Sequence, residues 1–171
     1  MEERQTMALC CKYSSPLGEI LIASRGEEIT GLWFTGQKYD RAGLGDVVPA
    51  EPENSPALSA ALRWLEEYFR GEEPKIEITL NPEGTAFQKR VWRELLTIPY
   101  GESLSYGALA KRLGSSPRAV GAAVGRNPIS LLIPCHRVLG SDGSLTGYAG
   151  GVERKKFLLE QEKNSKLLTN E

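Results

Sequence analysis

The sequence predicts an α+β protein. A small N-terminal antiparallel sheet plus a helix occupies residues 1–84, and an all-helical C-terminal domain with a helix-turn-helix occupies residues 85–171. Short apolar runs between glycine and proline turn signals are typical of strands, and they occupy the first part of the chain. From residue 85 onward the apolar side chains recur at helical spacing instead. Between the two patterns, Asn81-Pro82-Glu83-Gly84 contains turn-forming residues and is the predicted domain boundary.

The N-terminal half begins with three predicted strands, at residues 10–14, 20–23 and 29–34. Their short connections contain glycine and proline, which favours an antiparallel meander. Residues 36–54 are rich in glycine, proline and acidic side chains and are therefore predicted to form a surface loop.

A helix is predicted next, because Ser55-Pro56 has the pattern of an N-cap followed by a first-turn proline, and Gly71 ends the segment. Its apolar residues repeat at helical spacing: Leu58, Ala61, Leu62, Leu65 and Phe69. Residues 76–80 alternate between apolar and polar side chains, as a half-buried strand does. No group of catalytic side chains stands out in residues 1–84, so this half is predicted to be a scaffold.

The C-terminal half opens with a helix that Pro99-Tyr100-Gly101 ends. A short helix is predicted over about residues 105–113, and Gly114 fits its C-terminal cap. Ser116-Pro117 then caps another helix, which is predicted to end near residue 125. Two short helices across a three-residue turn are typical of a helix-turn-helix.

The second helix of this pair has two different faces. One face suits the core: Val120, Ala123 and Val124. The other face has almost no side chain apart from one arginine: Arg118, Gly121, Ala122 and Gly125. Each glycine costs a helix about 1 kcal/mol relative to alanine, so such a face favours close approach by another body. The DNA minor groove, roughly 6 Å wide, is one candidate, and tight helix packing with a solvated arginine is the alternative.

Charge is distributed unevenly, although the net charge is only −1. Residues 1–84 contain 8 Lys and Arg against 15 Asp and Glu, whereas residues 85–162 contain 11 against 6. The positive C-terminal half favours a polyanionic partner, although most charges on any protein are simply solvated. No apolar run approaches the roughly 18 residues of a membrane span, so no membrane partner is expected.

The single histidine of the chain directly follows one of its three cysteines, in Pro134-Cys135-His136-Arg137-Val138. Because Pro134 disfavours helix before it, residues 131–133 are predicted to be extended and buried and to place Cys135 at a fixed turn. A thiol beside an imidazole is a candidate nucleophile. From these residues alone, a buried structural cysteine is an equally good interpretation.

The remaining cysteines, Cys10 and Cys11, are adjacent. An odd cysteine count favours reduced thiols and a cytoplasmic location over a disulfide framework. With one histidine in the chain, a zinc site is poorly supplied with ligands. No metal and no cofactor are therefore expected.

The Pro-Cys-His-Arg-Val motif, with Asn127-Pro128 before it and Gly147-Tyr148-Ala149-Gly150-Gly151 after it, resembles the O6-alkylguanine–DNA alkyltransferase family. The resemblance extends over residues 85–162 and, more loosely, over the first eighty. It implies a single-turnover DNA repair protein that transfers the alkyl group of O6-alkylguanine to its own Cys135, with O4-alkylthymine as an open second substrate. The implied partner is double-stranded DNA, bound at the minor groove by a monomer that flips the damaged base out of the stack.

The family's catalytic roles fall on three residues. Cys135 attacks the alkyl carbon, His136 acts as its base through an ordered water, and Glu162 orients the imidazole. Spacing supports Glu162 independently, because it follows Leu158 and Leu159 by four and three residues on a helix predicted over roughly residues 152–161. That position is the buried side of the helix end, where an unpaired carboxylate would be costly, whereas Glu160 faces solvent.

The family's DNA-binding roles fall on the helix pair. Arg118, followed by Ala119-Val120-Gly121 as in the family, is implied to fill the gap that the flipped base leaves, and Ala119, Gly121 and Ala122 lie on the helix that enters the minor groove. Tyr106 is implied to crowd the 3′ phosphate and to give a proton to guanine N3. From the sequence alone, Tyr106 is equally an aromatic residue that packs on the helix pair.

The remaining implied roles concern the active-site loops. Asn127 is the hinge that ties the recognition helix to the active-site segment, although an Asn-Pro helix stop explains it equally well. Tyr148 and Ala149 line the guanine pocket, and Ala149 stands where some relatives have serine. Two other functions stay open: a lesion-recognition module of the alkyltransferase-like kind, whose members lack the cysteine, and a cysteine hydrolase, which needs an oxyanion hole.

Overall fold

The computed structural model describes residues 7–145 and 147–169. Within this part, a five-stranded sheet crossed by a helix is followed by four more helices and a two-stranded ladder. The strands are β1 (Ala8–Ser15), β2 (Gly18–Arg25), β3 (Glu28–Phe34), β4 (Val47–Pro49), β5 (Thr79–Leu80), β6 (Leu104–Ser105) and β7 (Val138–Leu139). The helices are α1 (Pro56–Phe69), α2 (Ala86–Leu95), α3 (Tyr106–Leu113), α4 (Pro117–Gly125) and α5 (Val152–Thr169). In the described part of the chain, no helix is long and apolar enough to cross a membrane.

The predicted antiparallel meander is confirmed, because β2 pairs antiparallel with both β1 and β3. The sheet order β4-β1-β2-β3-β5 adds two parallel edge strands that the sequence does not predict in this form. β4 lies inside the predicted surface loop, and only the last two residues of the predicted strand at 76–80 pair with β3. Strands of two or three residues are too short to show an alternating pattern, so their position depends on pairing with the strand at the sheet edge and not on a local sequence signal.

Helix α1 forms where its capping signals predict. Ser55 Oγ accepts a hydrogen bond from the Leu58 amide at 3.2 Å, and Pro56 occupies the first turn. One face of the helix is buried: Ala57, Leu58, Ala61, Trp64, Leu65 and Tyr68. This face packs on the sheet and continues into the core of the C-terminal half, so the two halves share one hydrophobic cluster.

Helices α3 and α4 lie at the predicted positions and are separated by three residues. Gly114 ends α3 with a φ of +64°, and Ser116 caps α4 by accepting from the Ala119 amide at 3.1 Å. Trp92 of α2 donates its indole N–H to the Ala123 carbonyl at 2.9 Å. This hydrogen bond from the buried face of α2 helps to fix the position of α4.

The C-terminal half is not entirely helical, which corrects the prediction of an all-helical domain. β6 and β7 form a parallel ladder that pairs Leu104 with Val138 and Ser105 with Leu139. This ladder ties the start of α3 to the residues that follow Cys135. Its strands of two residues each carry no periodic signal in the sequence.

Helix α5 extends to Thr169, well beyond the predicted end near residue 161. The additional turns contact the N-terminal half and the loop before β6. Gln161 Nε2 donates to the Tyr68 carbonyl at 2.8 Å, Ser165 Oγ donates to the Gly71 carbonyl, and Lys166 Nζ donates to the Tyr100 carbonyl at 3.2 Å. These contacts stabilise a segment whose sequence alone carries no clear stop signal.

Candidate active site

Cys135 begins a short 3₁₀ turn, Cys135–Arg137, and its side chain is only 4 % exposed. The preceding residues are buried as predicted, but they form tight turns and are not extended. The Ile133 carbonyl accepts from the Cys135 amide at 2.7 Å, and Leu131 has a φ of +71°. A leucine in the left-handed region is strained and persists only where surrounding contacts hold it.

Asn127 supplies those contacts. Its side-chain amide donates to the Ile133 carbonyl at 2.9 Å and, more weakly, to the Ile129 carbonyl at 3.4 Å. Its side-chain oxygen accepts from the Ile129 amide at 3.0 Å. The Asn127 amide also lowers the pKa of the Cys135 thiol in part, against the larger effect of burial. One buried amide therefore connects the end of α4 to the turn that contains Cys135.

His136 and Glu162 form a fully buried pair. His136 Nε2 lies 2.6 Å from Glu162 Oε2, and both side chains are at most 1 % exposed. Burial lowers the pKa of His136, so the imidazole is neutral at neutral pH. Burial alone would raise the pKa of Glu162, but His136 and Arg137 hold it well below its usual range. The carboxylate therefore accepts the proton of His136 Nε2, and the other ring nitrogen, Nδ1, has no hydrogen-bond partner among the described residues.

Glu162 has three further partners. Arg137 donates through Nε to Oε1 at 2.8 Å, and the Tyr68 hydroxyl donates to Oε2 at 2.6 Å. The Gly101 amide donates to Oε1 at 3.1 Å. These contacts satisfy a buried carboxylate that would otherwise be costly. Arg137 belongs to the motif around Cys135, whereas the sequence analysis did not single out Tyr68, a buried residue of α1.

The Cys135 thiol is protonated in this environment, because burial raises its pKa to about 11. Lys155, completely buried on α5, is an electrostatic neighbour of the thiol and lowers that pKa in part. Burial lowers the pKa of Lys155 itself to about 8, and its ammonium donates to the Val138 carbonyl. The sequence analysis missed Lys155. Its position three residues before Leu158, on the same helix face, is the only signal of burial.

Two tyrosines, Tyr106 and Tyr148, are electrostatic neighbours of Cys135. Burial raises the pKa of Tyr106 to about 12 and that of Tyr148 well above its usual value, and a thiolate at Cys135 would raise both further. The Tyr148 hydroxyl is buried and has no partner among the described residues. Gly147 has a φ of +83°, and a Cβ there would lie 2.8 Å from the Tyr106 hydroxyl, so only glycine fits.

The outer face of α4 is exposed as predicted. Arg118, Ala119 and Ala122 are exposed, and Gly121 is half-buried. A Cβ on Gly121 would make ordinary contact with the Tyr106 ring at 3.8 Å, and a Cβ on Gly125 would meet nothing within 4 Å. Internal packing therefore does not require either glycine, which argues against tight helix packing on this face.

The structure thus divides the predicted site residues into two groups. One group consists of the Cys135 thiol, the His136 imidazole and the residues near them: Glu162, Asn127, Tyr106 and Tyr148. The other lies on the surface of α4: Arg118, Ala119, Gly121 and Ala122. Ala149 belongs to neither group, because it is half-buried and its carbonyl accepts from the Lys38 amide at 3.1 Å. Within residues 7–145 and 147–169, no cluster of His, Cys, Asp and Glu could hold a metal ion.

Comparison with known proteins identifies both halves of the chain. The family model described as the DNA binding domain of 6-O-methylguanine DNA methyltransferase matches residues 86–164. The model of the ribonuclease-like domain of the same protein matches residues 9–82. A methylated-DNA–protein-cysteine methyltransferase of Mycobacterium leprae is 45 % identical over 163 residues, which cover 94 % of this chain and 96 % of the relative.

Solved structures agree with this relationship. The crystal structure of Mycobacterium tuberculosis O6-methylguanine methyltransferase has a TM-score of 0.82 at 43 % identity and covers 93 % of this chain and 94 % of its own. The same mycobacterial protein in complex with DNA has a TM-score of 0.81 at 42 % identity and covers 94 % of each chain. With both halves matched by family models and a relative at 45 % identity over most of its length, the chain belongs to the O6-methylguanine DNA methyltransferase family.

Proposed function

We propose that the chain repairs duplex DNA by moving the alkyl group of O6-alkylguanine to Cys135, once per protein molecule. The observation that carries the proposal is the buried thiol next to a neutral His136 whose Nδ1 is unpaired among the described residues and whose Nε2 is held by Glu162. The thiolate is the nucleophile, so a thiol with a pKa of about 11 needs such a base. Membership of the methyltransferase family supports the same chemistry.

In the proposed reaction, His136 Nδ1 takes the thiol proton, directly or through one water, and Glu162 stabilises the resulting imidazolium. The cation of Lys155 favours the thiolate. Sulfur then forms a bond to the alkyl carbon while the bond from that carbon to O6 breaks, and its electron pair goes to guanine. Tyr106 keeps its proton at neutral pH because its pKa is about 12, so it can donate to N3 of the departing base. The imidazolium of His136 then releases the thiol proton to solvent, and Tyr106 takes one proton back from solvent, so the net change is the transfer of one proton from the thiol to guanine.

We further propose that the lesion reaches Cys135 by base flipping from the minor groove. A base inside the duplex is out of reach of a buried thiol, and extrusion costs a few kcal/mol, least for a base whose pairing is damaged. The small, exposed outer face of α4 would allow a groove wall to approach the backbone, and the exposed Arg118 would fill the vacated stack. Asn127 would couple the position of α4 to the turn that contains Cys135, because its side chain donates to the carbonyls of Ile129 and Ile133.

The flipped base would lie between Tyr106 and the loop that contains Tyr148 and Ala149. The unpaired Tyr148 hydroxyl is a candidate partner for the base, and backbone groups of the loop can approach it closely. We propose residues 1–84 and 85–171 as the two domains, and a monomer as the form that acts on DNA. O4-alkylthymine is a second candidate substrate, because it presents an alkyl group on a comparable exocyclic oxygen.

The test is incubation of the protein with duplex DNA that contains radiolabelled O6-methylguanine. Label should move to the protein and stop at one equivalent per chain, because a thioether has no good leaving group for water to displace. Intact-mass measurement should show one methyl increment, mapped by fragmentation to Cys135. Label that stays on DNA would indicate a recognition module, and label released to solution or sustained turnover would indicate a hydrolase.

A further inference from the structure

Arg126 directly follows Gly125, the last residue of the outer face of α4. Its guanidinium carbon lies 3.7 Å from the centroid of the Tyr39 ring, so the cation rests on the face of an aromatic residue from the N-terminal half. Among the residues that the structure describes, the Arg126 side chain makes no hydrogen bond and no ion pair. A guanidinium stacked by its face keeps its in-plane N–H groups available, and these match the two oxygens of a phosphate.

Tyr39 belongs to residues 36–44, which we call the bridging loop. Its φ of +61° lies in the left-handed region, so the backbone is constrained there. The loop is fixed on both sides of this residue: the Lys38 amide donates to the Ala149 carbonyl at 3.1 Å, and Leu44 is buried against the sheet. The N-terminal half therefore presents the Tyr39 ring in a defined position beside the end of α4.

The local charge also favours an anion. Lys38 Nζ lies 5.2 Å from the centroid of the same Tyr39 ring, so two cations lie near one aromatic side chain. Within the described part of the chain, neither Lys38 nor Arg126 forms an ion pair with an acidic side chain. A phosphate beside the Tyr39 ring would therefore meet positive charge that no carboxylate of the described residues neutralises.

We propose that Arg126, held by Tyr39, binds a backbone phosphate of the duplex that α4 approaches. The proposal rests on the proposed function, since it assigns DNA as the partner. It gives the acidic N-terminal half a direct part in DNA binding through one aromatic residue. It also predicts that the contact acts on the duplex only, because a free base has no backbone phosphate.

The first experiment measures binding of the full chain to an undamaged fluorescent duplex over a series of NaCl concentrations. Loss of one phosphate contact should make the slope of log K against log salt shallower by about 0.9. We expect this change for Arg126→Ala and little change for Arg126→Lys, which keeps the charge. Arg63→Ala, which removes an exposed arginine of α1, is the matched control and should leave the slope unchanged.

The second experiment tests the role of Tyr39. Tyr39→Leu should weaken duplex binding about two- to fivefold, the effect expected of one exposed cation–π contact, and Tyr39→Phe should restore wild-type binding. In the Arg126→Ala background, Tyr39→Leu should have no further effect, because the proposed role of the ring in duplex binding is to hold that arginine. Thermal unfolding of each variant confirms that the fold is intact.

A salt slope that Arg126→Ala leaves unchanged would overturn the proposal. So would a Tyr39→Leu effect of equal size with and without Arg126. The rate of reaction with free O6-benzylguanine distinguishes this failure from failure of the proposed function. All four variants at positions 39 and 126 should keep the wild-type rate with the free base. A wild-type protein that binds DNA but does not react would refute the alkyl transfer and leave the phosphate contact unaffected.

Discussion

Replacing Glu162 by glutamine tests whether the buried carboxylate both orients His136 and neutralises Arg137. Oε2 accepts from His136 Nε2 and from the Tyr68 hydroxyl, each at 2.6 Å. Oε1 accepts from Arg137 Nε at 2.8 Å and from the Gly101 amide at 3.1 Å. Glutamine replaces one oxygen by an NH₂ group, so either orientation of the amide points a donor at two donors.

The expected loss is large because the site is buried. Removing one partner of a buried ion pair destabilises a protein by about 3–5 kcal/mol. For a chain of this size, each kcal/mol changes Tm by about 2–4 °C, so Glu162→Gln should lower Tm by roughly 6–20 °C. Without the carboxylate, His136 Nε2 can accept from the amide, and Nδ1 then carries the proton and cannot act as a base. Loss of general-base assistance should slow transfer by about 10²–10⁴-fold.

The same carboxylate predicts how stability responds to acid. His136 and Arg137 hold the pKa of Glu162 below its usual range, against the effect of burial. A lowered folded-state pKa stabilises the fold above the unfolded-state pKa of about 4.3, and that contribution disappears as pH falls toward the folded-state value. The Tm of the wild-type protein should therefore decrease more steeply below about pH 4 than the Tm of Glu162→Gln.

The assay is single-turnover transfer from a duplex with labelled O6-methylguanine, at a temperature where both proteins are folded. Glu160→Gln, at an exposed position of the same helix, is the control and should match the wild type in rate and Tm. Duplex binding should survive in both variants, because α4 does not contact Glu162. A folded Glu162→Gln protein that transfers methyl at the wild-type rate would refute the role of the carboxylate in orienting the base.

Four further predictions use the same transfer assay. Cys135→Ser should abolish transfer and keep lesion binding, whereas Cys10→Ser should change neither; loss of transfer in folded Cys10→Ser protein would refute Cys135 as sole acceptor. Arg118→Ala should slow repair of duplex DNA far more than reaction with free O6-benzylguanine, because only the duplex has a gap to fill, and equal slowing would indicate a role in the fold. Lys155→Met should slow transfer about ten- to a hundredfold and move its pH profile upward, since the thiolate loses a neighbouring cation; an unchanged profile would exclude that electrostatic role. Because burial lowers the pKa of His136, the imidazole is already neutral at neutral pH. Protonation of His136 should therefore slow transfer only below the ordinary imidazole pKa of about 6.5, and a midpoint above 7 in the rate profile would contradict this.

The features that the sequence predicts well are those decided by neighbouring residues. Ser55, Ser116 and Gly114 mark helix ends through contacts three or four positions away, and the structure has the helix ends there. The smooth outer face of α4 also follows from spacing within one helix. By contrast, the order of the sheet depends on which edge strand pairs with which, and no local pattern specifies that for strands of two or three residues.

The site residues that sequence analysis missed act across long separations. Tyr68 fits the apolar spacing of α1, and its hydroxyl partner Glu162 is 94 positions away. Lys155 is a charged residue whose burial depends on the packing of α5 against the turn after Cys135. Tyr39 lies in a predicted surface loop, and its contact with Arg126 becomes visible only when both halves are in place. The scaffold interpretation of the N-terminal half is therefore incomplete, because Tyr68 directly contacts the carboxylate that holds His136.

The resting state of the thiol suits an acceptor that reacts once. A thiolate reacts with many electrophiles, so a permanently ionised Cys135 would be consumed by reagents other than the lesion. Burial raises its pKa to about 11 and keeps it protonated, and in the proposed mechanism Lys155 and His136 favour ionisation when a substrate occupies the site. The strained turn at Leu131, held by the hydrogen bonds of Asn127, keeps the sulfur in this buried position. The prediction of an extended segment before Pro134 is therefore wrong because the backbone is strained at Leu131, in the segment that leads to the residue that is proposed to react.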